Sequence, residues 1–290
     1  MSRNLDAVAV TLFDTEVKQA YQGMQTLRMC VRQRNNVTGD TYKFRLMGKG
    51  IASERGAPSS DVVPMNITHS LPTATLTNWD ASEYTDIYDQ AAVNFQEVQE
   101  LATTIAGALG RRDDQLIIDQ LANANYAAAD VKPVAGEAGF VSTNIGGAAT
   151  GLNVAKLRAA AKYLNQREIP SSDRYILVNE EALDQLLAET EVTSTDFNSV
   201  KALVKGEVNT FLGFEFKRIG EREEGGLPLA GGLRTLYVWH KNSAGHAVGL
   251  DFQTRVDWSV DKKSWLSTGS LKAGSAVIDS EGIVKIQITE

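Results

Sequence analysis

A chain of 290 residues, 43% of them hydrophobic and 22% charged, carries enough apolar side chains to bury a sizeable core, which excludes a chain disordered throughout. Its formal net charge of −7, from 29 Lys and Arg against 36 Asp and Glu, gives no overall attraction to nucleic acid. The single cysteine, Cys30, supplies neither an intramolecular disulfide nor the paired thiolates of a structural zinc site, and it fits a reducing compartment. Near the start, Asp14 and Glu16 interrupt any apolar run that a signal peptide would need, and no stretch approaches the roughly 18 apolar residues of a spanning helix. A soluble protein, cytoplasmic when made, is expected. Length alone allows one large domain or two of moderate size.

Residues 1 to 34 scatter Leu12, Phe13, Val17, Tyr21, Met24 and Leu27 too thinly for an independent core, so they read as an arm that docks elsewhere. Thr41-Tyr42-Lys43-Phe44-Arg45-Leu46 then alternates apolar and polar side chains, the pattern of a strand with one covered face. A second extended segment runs from Val62 to Trp79, where Pro64 and Pro72 favour an edge position because proline cannot donate to a ladder. The polar stretch Ser53 to Ser60 between them reads as the tip of a long two-stranded projection. Such a hairpin is marginal alone in water and needs a partner to lie on.

From Ile87 the apolar period changes to three or four residues, through Ala91, Phe95, Val98, Leu101, Ile105 and Leu109 to Leu116, Ile117 and Leu121. The spacing predicts an amphipathic helix of about 35 residues, roughly 50 Å long. Gly107 and Gly110 allow a bend in it. Beyond a Gly- and Ala-rich stretch, Asn153 is placed to cap a helix carrying Val154, Leu157, Ala161 and Leu164, which Pro170 ends. Tyr175-Ile176-Leu177-Val178 reads as a fully buried strand, and Asn179 with Glu180 and Glu181 opens a further helix. A short helix is expected around 200–205, then a strand at Phe214-Glu215-Phe216 and a flexible loop from Gly225 to Gly232. Strand patterns follow at Thr235–Trp239, Ala247–Phe252, Val256–Val260 and Ile283–Ile288, so the carboxyl end returns sheet to an earlier region.

No chemistry of catalysis or metal binding stands out. His240 and His246, the best pair among His69, His240 and His246, match no zinc spacing and read as partly exposed turn residues. Gly146 to Gly151 has the glycines of a phosphate loop, but Leu152 and Asn153 replace its lysine and hydroxyl residue. Asp113 and Asp114 follow Arg111 and Arg112, but adjacent helical side chains point apart, so a solvated or intersubunit ion-pair cluster is expected. Cys30 has no nearby histidine, and the dispersed Trp79, Trp239, Trp258 and Trp265 suit core or interface anchoring. No catalytic, cofactor or metal residue is therefore assigned.

The order of elements, with the phrases Leu109-Gly110-Arg111-Arg112-Asp113-Asp114, Ile169 to Val178, Gly206-Glu207-Val208 leading to Leu212-Gly213-Phe214-Glu215-Phe216, His240 to Gly249 and Gly282 to Ile286, resembles HK97-fold major capsid proteins of tailed bacteriophages. The resemblance implies an α+β fold with an N-terminal arm (1–34), an extended loop (35–79), a peripheral domain with a spine helix (80–140), an axial domain (141–248) and a return to the peripheral domain (249–290). It implies a coat protein, not an enzyme, that forms pentamers and hexamers of an icosahedral head around double-stranded DNA. No cofactor, no membrane and no sequence-specific DNA contact is implied, and the location is the virion after assembly in the host cytoplasm. This chain has no long charged helical region ahead of the arm, so a separate scaffolding protein is expected, with a portal and a possible cement protein. An encapsulin-like compartment shell shares the same fold and stays open at this point, as do another virion component and an oligomeric enzyme.

Overall fold

The structure, a computed structural model, describes residues 23–56, 61–88, 97–124, 140–141, 144–145, 148–188 and 210–290. Two sheets organise them. A four-stranded sheet runs β1 (Arg32–Arg34), β15 (Ala244–Ser259), β16 (Ser264–Val277), β6 (Thr77–Asp86). A larger sheet runs β11 (Thr210–Phe211), β12 (Phe214–Arg218), β10 (Arg174–Val178), β14 (Leu233–His240), β17 (Ile283–Thr289), β7 (Phe140–Val141), with β13 (Leu229–Ala230) added beside β14. The helix α1 (Glu97–Ala122) crosses between the two sheets. The helices α2 (Val154–Gln166) and α3 (Glu180–Ala188) belong with the larger sheet.

Local chemistry explains most of these elements. The Asn153 side chain accepts from the Lys156 amide at 2.8 Å and caps α2, and Asn179 accepts from the Ala182 amide at 3.1 Å to cap α3. Every residue of β10 is buried, because it lies inside the sheet between parallel β12 and antiparallel β14. Ile176, Leu177, Val178, Leu236, Val238 and Trp239 pack there against Leu157 and Leu164 of α2 and Leu186 of α3.

α1 is 26 residues long, about 39 Å at 1.5 Å per residue. Ile87 and Tyr88, where the apolar period begins, are helical as well; before them the chain is extended through Asp86 and pairs along β16, from Thr77 opposite Ala273 to Asp86 opposite Ser264. The acidic and hydroxyl residues of that stretch conceal a strand whose ladder, not propensity, holds it. Residues 89–96 lie outside the described residues, as do the expected helix around 200–205 and positions 57–60 of the hairpin tip. The two apolar runs seen after Ala247 form one long strand, β15, bulged between Val248 and Leu250 and again between Leu250 and Gln253. Its partner β16 shows no apolar run, since Ser and Gly fill it, and only its pairing makes it legible. The expected flexible loop at 225–232 is instead tied down. The Gly225 amide donates to Gln115 Oε1 at 2.7 Å, and Gly231 and Gly232, with φ of 60° and 76°, close a tight β13–β14 hairpin.

α1 serves two cores. Ile105 and Leu109 pack with Val248, Leu271 and Ala273 of the four-stranded sheet, whereas Ile117, Ile118 and Leu121 enter the core of the larger sheet. A third, small cluster of Phe44, Ala74, Leu76, Ala247, Ala276 and Ile278 seats the root of a projecting hairpin. That hairpin has short ladders, β2 (Thr41–Lys43) with β5 (Thr73–Thr75) and β3 (Leu46–Met47) with β4 (His69–Ser70). A minor two-stranded pair, β8 (Asn144–Ile145) with β9 (Ala148–Ala149), precedes α2.

α1 lies close on β16 because Gly269 has no side chain there; a Cβ would sit 2.4 Å from Ile105 Cγ2 and 2.9 Å from Leu109 Cδ1. Gly269→Val would overpack this contact, at a cost of about 1–3 kcal/mol. The expected outcome, checked by thermal unfolding, is a melting midpoint lowered by several degrees.

Candidate functional site

The Leu109 to Gln115 stretch of α1 is the node where arm, both sheets and the 222–225 segment meet. Asp114 is fully buried and accepts from the Thr26 amide at 3.0 Å, the Leu27 amide at 2.9 Å and the Thr26 hydroxyl at 3.0 Å. Arg222 Nη2 stands 3.3 Å away as its counter-charge. Burial pushes the Asp114 carboxyl up, and the hydrogen bonds from Leu27 and Thr26 with the Arg222 charge offset only part of that rise. Its neighbour Asp113 points elsewhere, accepting from the Gln25 side-chain amide and facing His246. Arg112 reaches sideways to Glu224 at 2.6 Å and lies 4.1 Å from the centre of the Trp79 ring. A Cβ at Gly110 would stand 3.2 Å from the Gln25 amide nitrogen, so the glycine lets the arm lie against the helix.

From this clamp the arm continues into the main core. Leu27, Cys30 and Val31 are buried there, the Cys30 carbonyl accepts from the Trp239 indole at 2.9 Å, and β1 then pairs in parallel with β15. The apolar surroundings push the Cys30 thiol up to about 11, which leaves it an unreactive core residue. The described part of the arm thus docks on its own chain.

Both candidate histidines are buried, contrary to the expected exposed turn, because each closes a strand junction. His240 ends β14, and its Nδ1 accepts from the Asn242 amide at 3.3 Å. Burial pushes its pKa down, with Arg174 adding to the effect and Asp173 opposing it. His246 sits in β15 with Nδ1 2.9 Å from Ser275 Oγ and Nε2 3.0 Å from Asp113 Oδ1. The latter two atoms are close but not aligned as donor and acceptor. Serine, histidine and aspartate in a row suggest a nucleophile and its base. Here the His246 ring and the Asp113 carboxylate are wholly inside the packing between α1 and the sheet, where no substrate reaches them. The expected solvated cluster at Asp113 and Asp114 is therefore replaced by an internal one.

Two further buried ionic groups were not anticipated. Lys156 donates to the carbonyls of Thr150 at 2.7 Å and Gln287 at 2.9 Å, and burial brings its pKa down to about 8. Arg234 holds Glu290 through Nε at 2.5 Å and Nη2 at 2.7 Å, while Asn179 donates to the same carboxylate at 2.6 Å. Lone Lys and Arg codes within apolar runs gave no signal beyond helix or strand. Gly151, last of the false phosphate loop, packs against Gln185 ahead of α2. Among the described residues no three or more His, Cys, Asp or Glu converge on a metal position, and no helix is long and apolar enough to cross a membrane.

A sequence profile described as phage capsid protein matches residues 5–290. The chain belongs to that family. Among solved structures, the capsid protein is similar to the capsid of cyanophage P-SCSP1u, with a TM-score of 0.76 and 16% identity over 100% of this chain and 96% of that one. It is also similar to the capsid of Helicobacter pylori bacteriophage KHP30, at 0.77 and 10% over 99% and 96%. A third likeness is to Mycobacterium phage Che8, at 0.68 and 15% over 96% of each chain. Comparison with curated protein sequences gives no significant match. The fold is thus the α+β, HK97-like capsid fold, and the protein is a major capsid shell component of a virion. In a shell protein the functional site is a set of surfaces held in fixed relation, and the Asp113–Asp114 node fixes them.

Asp114→Asn places an amide donor against the Thr26 and Leu27 donors and should cost about 2–3 kcal/mol. Trypsin is expected to cut after Arg28 earlier in the variant than in the wild type. His240 supplies a pH test. Its folded pKa lies below its unfolded value, so its contribution to stability is full above the unfolded pKa, near 6.5, and is lost as pH falls below it. His240→Asn keeps an acceptor for the Asn242 amide without a titrating group. In urea unfolding it should lose less stability than wild type between about pH 8 and 5.

Proposed function

We propose that the capsid protein forms pentamers and hexamers that close into an icosahedral head around double-stranded DNA, assembled in the host cytoplasm. The observation that carries this reading is the projecting hairpin. Beyond its short ladders, Ile51 and Val62 are 84% and 85% exposed, and Met47, Val63, Met65 and Leu71 are exposed with them. A row of large apolar side chains on a two-stranded arm has no return within its own subunit. It gains by lying on a neighbour, and repeated over a closed symmetric shell such moderate contacts multiply.

In this reading residues 1–34 are the arm, 35–79 the extended loop, 80–140 the peripheral domain with the spine helix, 141–248 the axial domain and 249–290 the return to the peripheral domain, except that the return ends with β16 on the four-stranded sheet. β17 pairs with β14 and so returns the last strand to the axial sheet. The DNA is enclosed without sequence-specific contact, in keeping with the net charge of −7. Scaffolding, portal and any cement protein are separate chains. The shell role needs no catalysis, and the buried Ser275–His246–Asp113 row is structural.

The Phe44 amide donates to the Pro72 carbonyl at 2.8 Å, so the hairpin's two limbs already touch at its root. Replacing residues 45–70 by a short glycine linker is therefore expected to leave folded, soluble protein that makes no closed shells by negative-stain electron microscopy. Normal particles from that variant would refute the projecting-loop reading.

A further inference from the structure

Leu212 occupies a backbone position that ordinary side chains avoid. It and Gly213 join β11 to β12 with φ of 52° and 81°, both left-handed, as in the two-residue hairpin turns whose first position favours Asn, Asp or Gly. Leucine is disfavoured there, and its side chain is nonetheless 41% exposed. Neither the backbone conformation nor the exposed apolar surface finds a compensating contact among the described residues. The tip is not free to swing, because Phe211 and Phe214 on either side are buried in the core.

Leu212 borders an open groove of about 540 Å³ whose other wall is α2, through Arg158, Ala161, Lys162, Asn165 and Gln166. The described residues that line it include two cations and no carboxylate. On the same unit, α3 turns Glu180, Glu181 and Asp184 outward, three exposed carboxylates with no cation among the helix's own residues, and Ala188 is exposed beside them. We propose that Leu212 with the basic groove beside it is one half of a contact between subunits, and that the acidic outer face of α3 in a second copy of the chain is the other half. An apolar knob at the centre with opposite charges around it is the usual anatomy of a specific interface. Because the two patches differ, the contact is head-to-tail, and repeated copies close it into a ring. This inference rests on the shell reading above.

Leu212→Asn creates the Asn-Gly pair that this turn prefers, so it separates folding from assembly. The variant is expected to melt at a temperature equal to or up to about 3 °C above wild type. The protein concentration needed for rings or shells, followed by light scattering and negative-stain microscopy, should rise at least about tenfold, the loss of one central contact. Lys162→Glu and Asp184→Lys should each lower particle yield alone, and both in one chain should restore it, because every interface then pairs one of each. Wild-type-like assembly of Leu212→Asn would overturn the contact while leaving the shell reading intact. A clearly lowered melting point would overturn it too, by showing that the leucine serves its own subunit. Failure of the double reversal to restore particles would overturn α3 as the partner face. Wild-type protein that never forms rings or shells would overturn both readings.

Discussion

Two adjacent carboxylates on one helix hold this molecule together. Side chains at neighbouring helical positions diverge by about 100°, and the chain uses that divergence: Asp114 faces the arm while Asp113 faces the four-stranded sheet. Burying a carboxylate is unfavourable unless donors and counter-charge surround it. Asp114 gathers two backbone amides, a hydroxyl and a guanidinium, and all of them come from segments far away in sequence. The satisfied geometry exists only when arm, helix and the 222–225 segment are in place together. The interaction thus selects one arrangement more than it adds to total stability.

That selection matters because the rest of the architecture is elongated. The hairpin, the 16-residue β15 and the spine all extend away from any single core, and their relative directions are set where they cross. Gly269 lets the helix lie on the sheet, Phe44 seats the hairpin root, and the Arg112 guanidinium stacked on Trp79 ties the helix to β6. For a subunit that must present the same surfaces to many neighbours, fixed direction is worth more than a large core.

The larger sheet with α2 and α3 was the most legible part of the sequence, because its signals are local. Asn153 and Asn179 cap the helices they precede, and Tyr175 to Val178 is an apolar run with a single interpretation. Strands stabilised by pairing were the least legible. Asp80 to Asp86 and Ser264 to Val277 lack strand composition and are strands because they lie beside each other. The internal clamp was illegible for a related reason: RRDD on a helix has the composition of a solvated face, and only the docked arm, nearly ninety positions away, shows that its acids are inside. His240 and His246 were misjudged likewise, since a glycine-containing turn between them looked open while long-range pairing closed it.

The spine's membership in two cores also bears on how the subunit fails. A molecule whose two main sheets each had a core of their own could come apart in stages, the weaker one first. Here the same helix contributes Ile105 and Leu109 to one cluster and Ile117, Ile118 and Leu121 to the other. Loosening either strips the helix of half its cover and the arm of its anchor. The shared helix therefore couples the two cores, so that opening one costs the other part of its packing as well.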